Sequence, residues 1–222
     1  MKTMWLWLLL ADVALAGVAE GERAYFDGNY PIALQQLAPL AEAGNPRAQH
    51  LMGQMARDGD GIPVDLERAY HWLDLAAKAG NPEAALALGQ LFEKGLGVPK
   101  DVQKAFKWYR HAASQGLDDA EYAVGTCFEK GIAVPVDNRQ ALDWYGLAAA
   151  QGQGLAQFKL GTFYQYGKGG VRDDLLAYQW YHLAASRGVL KAALERDNLA
   201  QSLKPDQIEM ARHRAAGWSA RP

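Results

Sequence analysis

The chain has 222 residues, half of them hydrophobic, and a formal net charge of -2. Asp and Glu outnumber Lys and Arg, so the composition supplies no basic face for a nucleic-acid backbone, and no nucleic-acid partner is expected. A single cysteine excludes an internal disulfide framework.

Met1 to Ala16 reads as a secretory signal peptide. Lys2 supplies the positive end, Met4 to Ala11 the apolar run, and Ala14-Leu15-Ala16 the small-x-small cleavage pattern. Cleavage after Ala16 starts the mature chain near Gly17 and removes Lys2 and Asp12 together, so the net charge is unchanged. The competing reading is a cytoplasmic protein with an apolar N-terminal helix. The apolar run is far shorter than the ~20 residues a membrane span needs, so no integral membrane segment is expected in the mature chain. Residues 17–44 form a shortened helix pair that caps the N-terminal end. Ala24, Tyr25 and Phe26 lead to an Asp27-Gly28-Asn29 turn, and Pro31 opens a second helix carrying Ile32, Leu34, Leu37 and Leu40.

From Asn45 to Gly188 the chain repeats every 36 residues without insertion. Gly53, Gly89, Gly125 and Gly161 share one column, Asp65, Asp101, Asp137 and Asp173 another, and Trp72, Trp108, Trp144 and Trp180 a third. Four units follow, 45–80, 81–116, 117–152 and 153–188, the signature of a stacked solenoid. In the second unit Asn81 caps a helix with Pro82 at its first position, running to Lys94, where Gly95 stops it. Asp101 caps a second helix whose apolar face carries Ala105, Trp108, Tyr109, Ala112 and Ala113, and Gly116 closes the unit. Glycine inside a helix costs about 1 kcal/mol against alanine, so the Gly89 column implies close helix packing. The tryptophan column is expected to supply the large core side chain of each layer, with a ligand box as the alternative. Cys127 shares a column with Met55, Leu91 and Phe163 and reads as a packed thiol.

In residues 189–222 Ala192 keeps register, while Arg196 and Asp197 replace the Leu and Gly of the repeat. Pro205-Asp206-Gln207 starts a last helix expected to carry Ile208, Met210, Ala211, Ala215 and Trp218 as a C-terminal cap. Lys204 stands where a capping hydroxyl would be stronger.

The unit A-x-x-x-L-G-x-x-[FY]-x-x-G-x-G-V-x-x-D-x-x-x-A-x-x-W-[YL]-x-x-A-A-x-x-G resembles the Sel-one-like repeat (SLR), a relative of the tetratricopeptide repeat. The chain departs from it at Ala56, at Ala133 in a loop-glycine position, and at Gly170-Val171 where the other units have an aliphatic residue and proline. The resemblance implies an all-α fold, an α/α superhelical solenoid of four SLR units with capping helix pairs at both ends. It also implies an exported, periplasmic bacterial protein of the adaptor type.

No nucleophile elbow, Ser-x-x-Lys, phosphate loop or His-Glu-x-x-His occurs, so no catalytic residue, cofactor or metal is assigned. Gly167-Lys168-Gly169-Gly170 falls on the inter-helix loop. His50, His71, His111, His182 and His213 occupy different columns. By the tetratricopeptide resemblance the first helices line the concave side, which points Arg47, His50, Gln54 and Arg57, then Glu83, Leu86, Gln90 and Glu93, inward. Asp119, Tyr122, Thr126 and Glu129, then Leu155, Phe158, Thr162 and Gln165, continue that strip. The binding residues are taken as His50, Gln54, Leu86, Gln90, Tyr122, Thr126, Phe158 and Thr162. An apolar and aromatic row rimmed by polar groups suits a protein or peptide partner. Packing between adjacent first helices is the alternative role for Leu86, Tyr122 and Phe158. The expected function is therefore a non-catalytic interaction adaptor or regulator of the cell envelope. The alternatives are an enzyme of the β-lactam-binding SLR type or a structural subunit of an envelope complex.

Overall fold

The structure, a computed structural model, describes residues 16–220. The signal peptide expected at Met1–Ala16 lies outside them apart from its last residue. Every regular element among the described residues is an α-helix. The repeat punctuation explains where each one starts and stops. Asn45 and Asn81 accept from the backbone N–H groups of Ala48 and Ala84 at 3.0 and 2.7 Å, with proline at the first helical position in both cases. Asp65, Asp101, Asp137 and Asp173 do the same for the second helices, accepting from Arg68, Lys104, Gln140 and Leu176 at 2.9 to 3.0 Å. Gly59, Gly95, Gly131 and Gly167 end the first helices in the left-handed conformation, with φ between 65° and 82°.

Two compact units divide the chain, Met1–Ala112 and Ala113–Pro222. The first holds α1 (residues 16–26), α2 (Tyr30–Glu42), α3 (Pro46–Asp58), α4 (Leu66–Lys78), α5 (Pro82–Lys94) and nearly all of α6 (Val102–Ala113). Here α2 packs on α3, α3 on α4 and α4 on α5, around Ala33, Leu37, Ala48, Met52 and Met55. The second holds α7 (Asp118–Lys130), α8 (Asn138–Ala150), α9 (Gly154–Tyr166), α10 (Asp174–Ser186), α11 (Leu190–Ala200) and α12 (Pro205–Ala216). There α8 packs on α7 and α9, and α10 packs on α9, α11 and α12, burying Tyr178, Tyr181, Ala192, Leu199 and Ala211.

The helix glycines make room for a ring. A Cβ on Gly125 would lie 2.8 Å from the Tyr145 ring, Gly89 and Gly161 face Tyr109 and Tyr181 in the same way, and Gly53 faces Leu73 at 2.7 Å. This corrects the expectation for the tryptophans. Trp72, Trp108, Trp144 and Trp180 are only partly buried, while the next column, Leu73, Tyr109, Tyr145 and Tyr181, is no more than 3% exposed. Neighbouring positions on a helix point about 100° apart, and the glycine groove admits the second of the two.

The ends differ in detail from the sequence reading. Helix α2 begins at Tyr30, with Pro31 in its first turn. Helix α12 stops at Ala216, so Trp218 lies beyond it, its ring 5.8 Å from the Arg187 guanidinium. Lys204 makes no side-chain cap; Gln207 Oε1 instead accepts from the Lys204 backbone N–H at 2.9 Å. Cys127 is buried, 3% exposed.

Candidate binding surface

All eight residues assigned from the sequence sit on first helices and are partly buried. His50 and Gln54 lie on α3, Leu86 and Gln90 on α5, Tyr122 and Thr126 on α7, and Phe158 and Thr162 on α9. Their surroundings separate them into groups with different chemistry.

In the first unit, His50 and Gln54 line a cleft of about 550 Å³ between α1, α3 and the start of α5. Glu22, Phe26, Arg47 and Glu83 complete its polar and aromatic walls. Arg47 and Glu22 form a two-pronged ion pair, Nε to Oε1 at 2.6 Å and Nη2 to Oε2 at 2.8 Å. Burial lowers the pKa of His50 to about 4, with the Glu83 carboxylate opposing that shift and Arg57 adding to it. The ring is therefore neutral at neutral pH. Gln90 borders a separate cleft of about 480 Å³ with Arg57 and Lys94. Arg57 is held by Asp58 through bonds of 2.8 and 2.6 Å.

In the second unit the row is aromatic. The Tyr122 ring lies 5.6 Å from that of Tyr145, and the Phe158 ring 5.7 Å from that of Tyr181. Phe158 also packs against the buried cluster around Tyr178 and Tyr181, so it serves the core while keeping one side open. Thr126 and Thr162 turn their hydroxyls inward, donating to the Tyr122 and Phe158 carbonyls at 3.0 and 3.1 Å and meeting the Tyr145 and Tyr181 hydroxyls at 3.2 and 3.3 Å. The column after them anchors these two tyrosines and, in the first unit, Tyr109. Glu93, Glu129 and Gln165 accept from the hydroxyls of Tyr109, Tyr145 and Tyr181 at 2.6 to 2.7 Å. Glu129 also accepts from Lys159 Nζ at 2.7 Å. Burial pulls the pKa of Glu129 upward, but the bonds from Lys159 and Tyr145 outweigh it and leave it lowered.

Two parts of this surface were missed from the sequence. Phe26, 77% exposed, and Glu22 belong to α1, outside the 36-residue register, and no periodic signal marks them. On α11, Lys191 holds its Nζ 5.5 Å from the centre of the Phe158 ring, and Leu194 is 60% exposed. Leu194 continues the column of His50, Leu86, Tyr122 and Phe158, so extending the period by one more step finds it.

A further cleft of about 1100 Å³ in the second unit is lined by second-helix residues Leu142, Gly146, Leu147 and Trp180, together with Gly170, Val171 and Trp218. No group of three His, Cys, Asp or Glu side chains among the described residues could hold a metal ion. No described helix is long and apolar enough to cross a membrane.

A family model described as the Sel1 repeat matches residues 46–81, 82–117, 118–153 and 154–189. No curated protein matches the chain. Among solved structures, a Sel1 repeat protein from Oxalobacter formigenes is 32% identical, with 90% of this chain and 83% of that chain covered and a TM-score of 0.79. A protective antigen of uropathogenic Escherichia coli strains, displaying an SLR fold, is 25% identical with a TM-score of 0.60. The match covers 93% of this chain but only 54% of the antigen. A sel1 repeat protein from Klebsiella pneumoniae, 20% identical with a TM-score of 0.57 over 84% of this chain and 93% of that one, shares the fold.

Proposed function

Because the chain belongs to the Sel1 repeat family, we propose that it is a non-catalytic adaptor or regulator of the bacterial cell envelope. It binds a protein or peptide on the face formed by its first helices. One observation carries the reading. Leu86, Tyr122 and Phe158 occupy one column of the repeat, all keep part of their surface open, and Leu194 extends the column with most of its side chain in solvent. Large apolar side chains standing open at a fixed period, flanked by Gln54 and Gln90, supply the anchor-and-rim chemistry of a protein interface. The pattern of Met1–Ala16 supports export, and the terminal helix pairs are read as caps that shield the ends of the stack.

The test is quantitative capture of the partner from envelope extracts. Tyr122→Ala and Phe158→Ala each weaken binding by more than about 1 kcal/mol without unfolding the protein. Lys107→Ala, an exposed position on second helix α6, binds normally. Retained affinity in both aromatic variants, with loss from second-helix substitutions, overturns the choice of face.

A further inference from the structure

The cleft at the N-terminal end of the first unit has a composition unlike the rest of the first-helix face. Phe26 lines it, 77% exposed although it is a large aromatic. Glu83, in the first turn of α5, lines the same cleft. Glu83 is exposed and has no ion-pair or hydrogen-bond partner among the described residues. The other charges are matched. Both oxygens of Glu22 are occupied by Arg47, and Arg57, the cation that acts on His50, is held by Asp58. His50 is neutral at neutral pH and adds no positive charge. The cleft is thus left with one open negative charge, one open aromatic face, and Gln54 and an uncharged imidazole able to accept hydrogen bonds.

We propose that this cleft receives an arginine side chain of the bound partner, its guanidinium stacked on Phe26 and its forked N–H groups donating to Glu83. Guanidinium is the side chain that combines planar stacking on an aromatic ring with two-pronged bonding to a carboxylate. Lysine satisfies the charge but not the plane. The inference rests on the reading of the first-helix face as a binding surface, because the cleft shares His50 and Gln54 with it. It goes further in naming the residue the partner presents.

The experiment titrates N-acetyl-argininamide into the full-length, isotopically labelled protein and follows its NMR spectrum. The expected result is a saturable shift of the Gln54 and Glu83 amides and the Phe26 ring in the millimolar range. The citrulline analogue, equal in shape but uncharged, binds about ten-fold more weakly, and Glu83→Gln reduces arginine binding by a similar factor. Phe26→Leu weakens arginine more than lysinamide, because it removes the stacking surface and leaves the charge. Each variant's own spectrum reports whether it is folded. Equal binding of citrulline, unchanged binding to Glu83→Gln, or shifts scattered over the surface without saturation overturns the proposal. Tyr122→Ala and Phe158→Ala leave the argininamide shifts unaltered, so the wider reading of the face and this assignment fail or stand separately.

Discussion

A glutamine early in the first helix recurs in two repeats and is replaced by glutamate in a third. Gln49 and Gln157 are buried, and each donates Nε2 to a carbonyl at the end of the preceding helix, Ala41 at 3.1 Å and Ala149 at 3.3 Å. Glu121 fills the same column, 5% exposed, and an ionised carboxylate has no proton to give the corresponding carbonyl of Ala113. Burial raises the Glu121 pKa, with the bond from Gln151 opposing and Asp118 adding to the rise. The sign follows. A carboxyl whose pKa is higher in the folded state favours folding at low pH, and that contribution is lost as pH rises through the folded value. Glu121→Gln restores the donor and keeps Oε1 for Gln151, so it is expected to stabilise the fold by about 1 kcal/mol at neutral pH. Denaturant melts at several pH values check this, because the gain shrinks on acidification as wild-type Glu121 takes up its proton. Ala133 is the one non-glycine residue with positive φ among those described, at 63°, where the other repeats have Gly61, Gly97 and Gly169. Ala133→Gly removes the Cβ conflict of the left-handed conformation and raises stability by about 1 kcal/mol in the same melts.

At the scale of the helix pair, the joint between first and second helix in three of the four repeats is a glycine facing a tyrosine ring. Tyr145 is fully buried, its hydroxyl donates to Glu129, and its ring lies where a side chain on Gly125 would otherwise stand. Tyr145→Ala is expected to cost about 3–5 kcal/mol, the range for emptying a large aromatic core site. Trp144→Ala, one residue earlier and partly exposed, costs less than half as much. Parallel urea melts of the two variants decide between the columns, and the opposite order restores the tryptophan as the core residue. This contrast also marks how far the sequence could be read. The asparagine and aspartate caps and the loop glycines are local devices, so α5 runs from Pro82 to Lys94 as its residues dictate. Which of two adjacent aromatic columns enters the glycine groove depends on the rotation of one helix against another. Both columns repeat with the same period, and periodicity alone cannot choose between them. The candidate site divides in the same way. His50, Leu86, Tyr122 and Phe158 follow from the register, whereas Phe26 comes from α1, which the register does not reach.

At the scale of the whole chain, the N-terminus decides whether the protein reaches the envelope at all. Cleavage after Ala16 requires that the fold lose nothing when residues 1–16 leave. Among the described residues, the buried side chains of α1 lie within the mature chain. Val18 and Ala24 are buried at 3% and 8% exposure, and a Cβ on Gly21 would meet Leu37 Cγ at 2.6 Å, so these packed positions all lie past the cleavage point. Cutting a few residues later would remove Val18 and open the end of the first unit's core. The expected mature species therefore starts at Gly17, and intact-mass measurement on protein from the periplasmic fraction reads it directly. A chain expressed from Gly17 should unfold at the same denaturant midpoint as the uncleaved chain, because it keeps the buried Val18 and Ala24. Recovery of a soluble cytoplasmic species that retains Met1 overturns export, and the search for a partner then moves from envelope extracts to the cytoplasm.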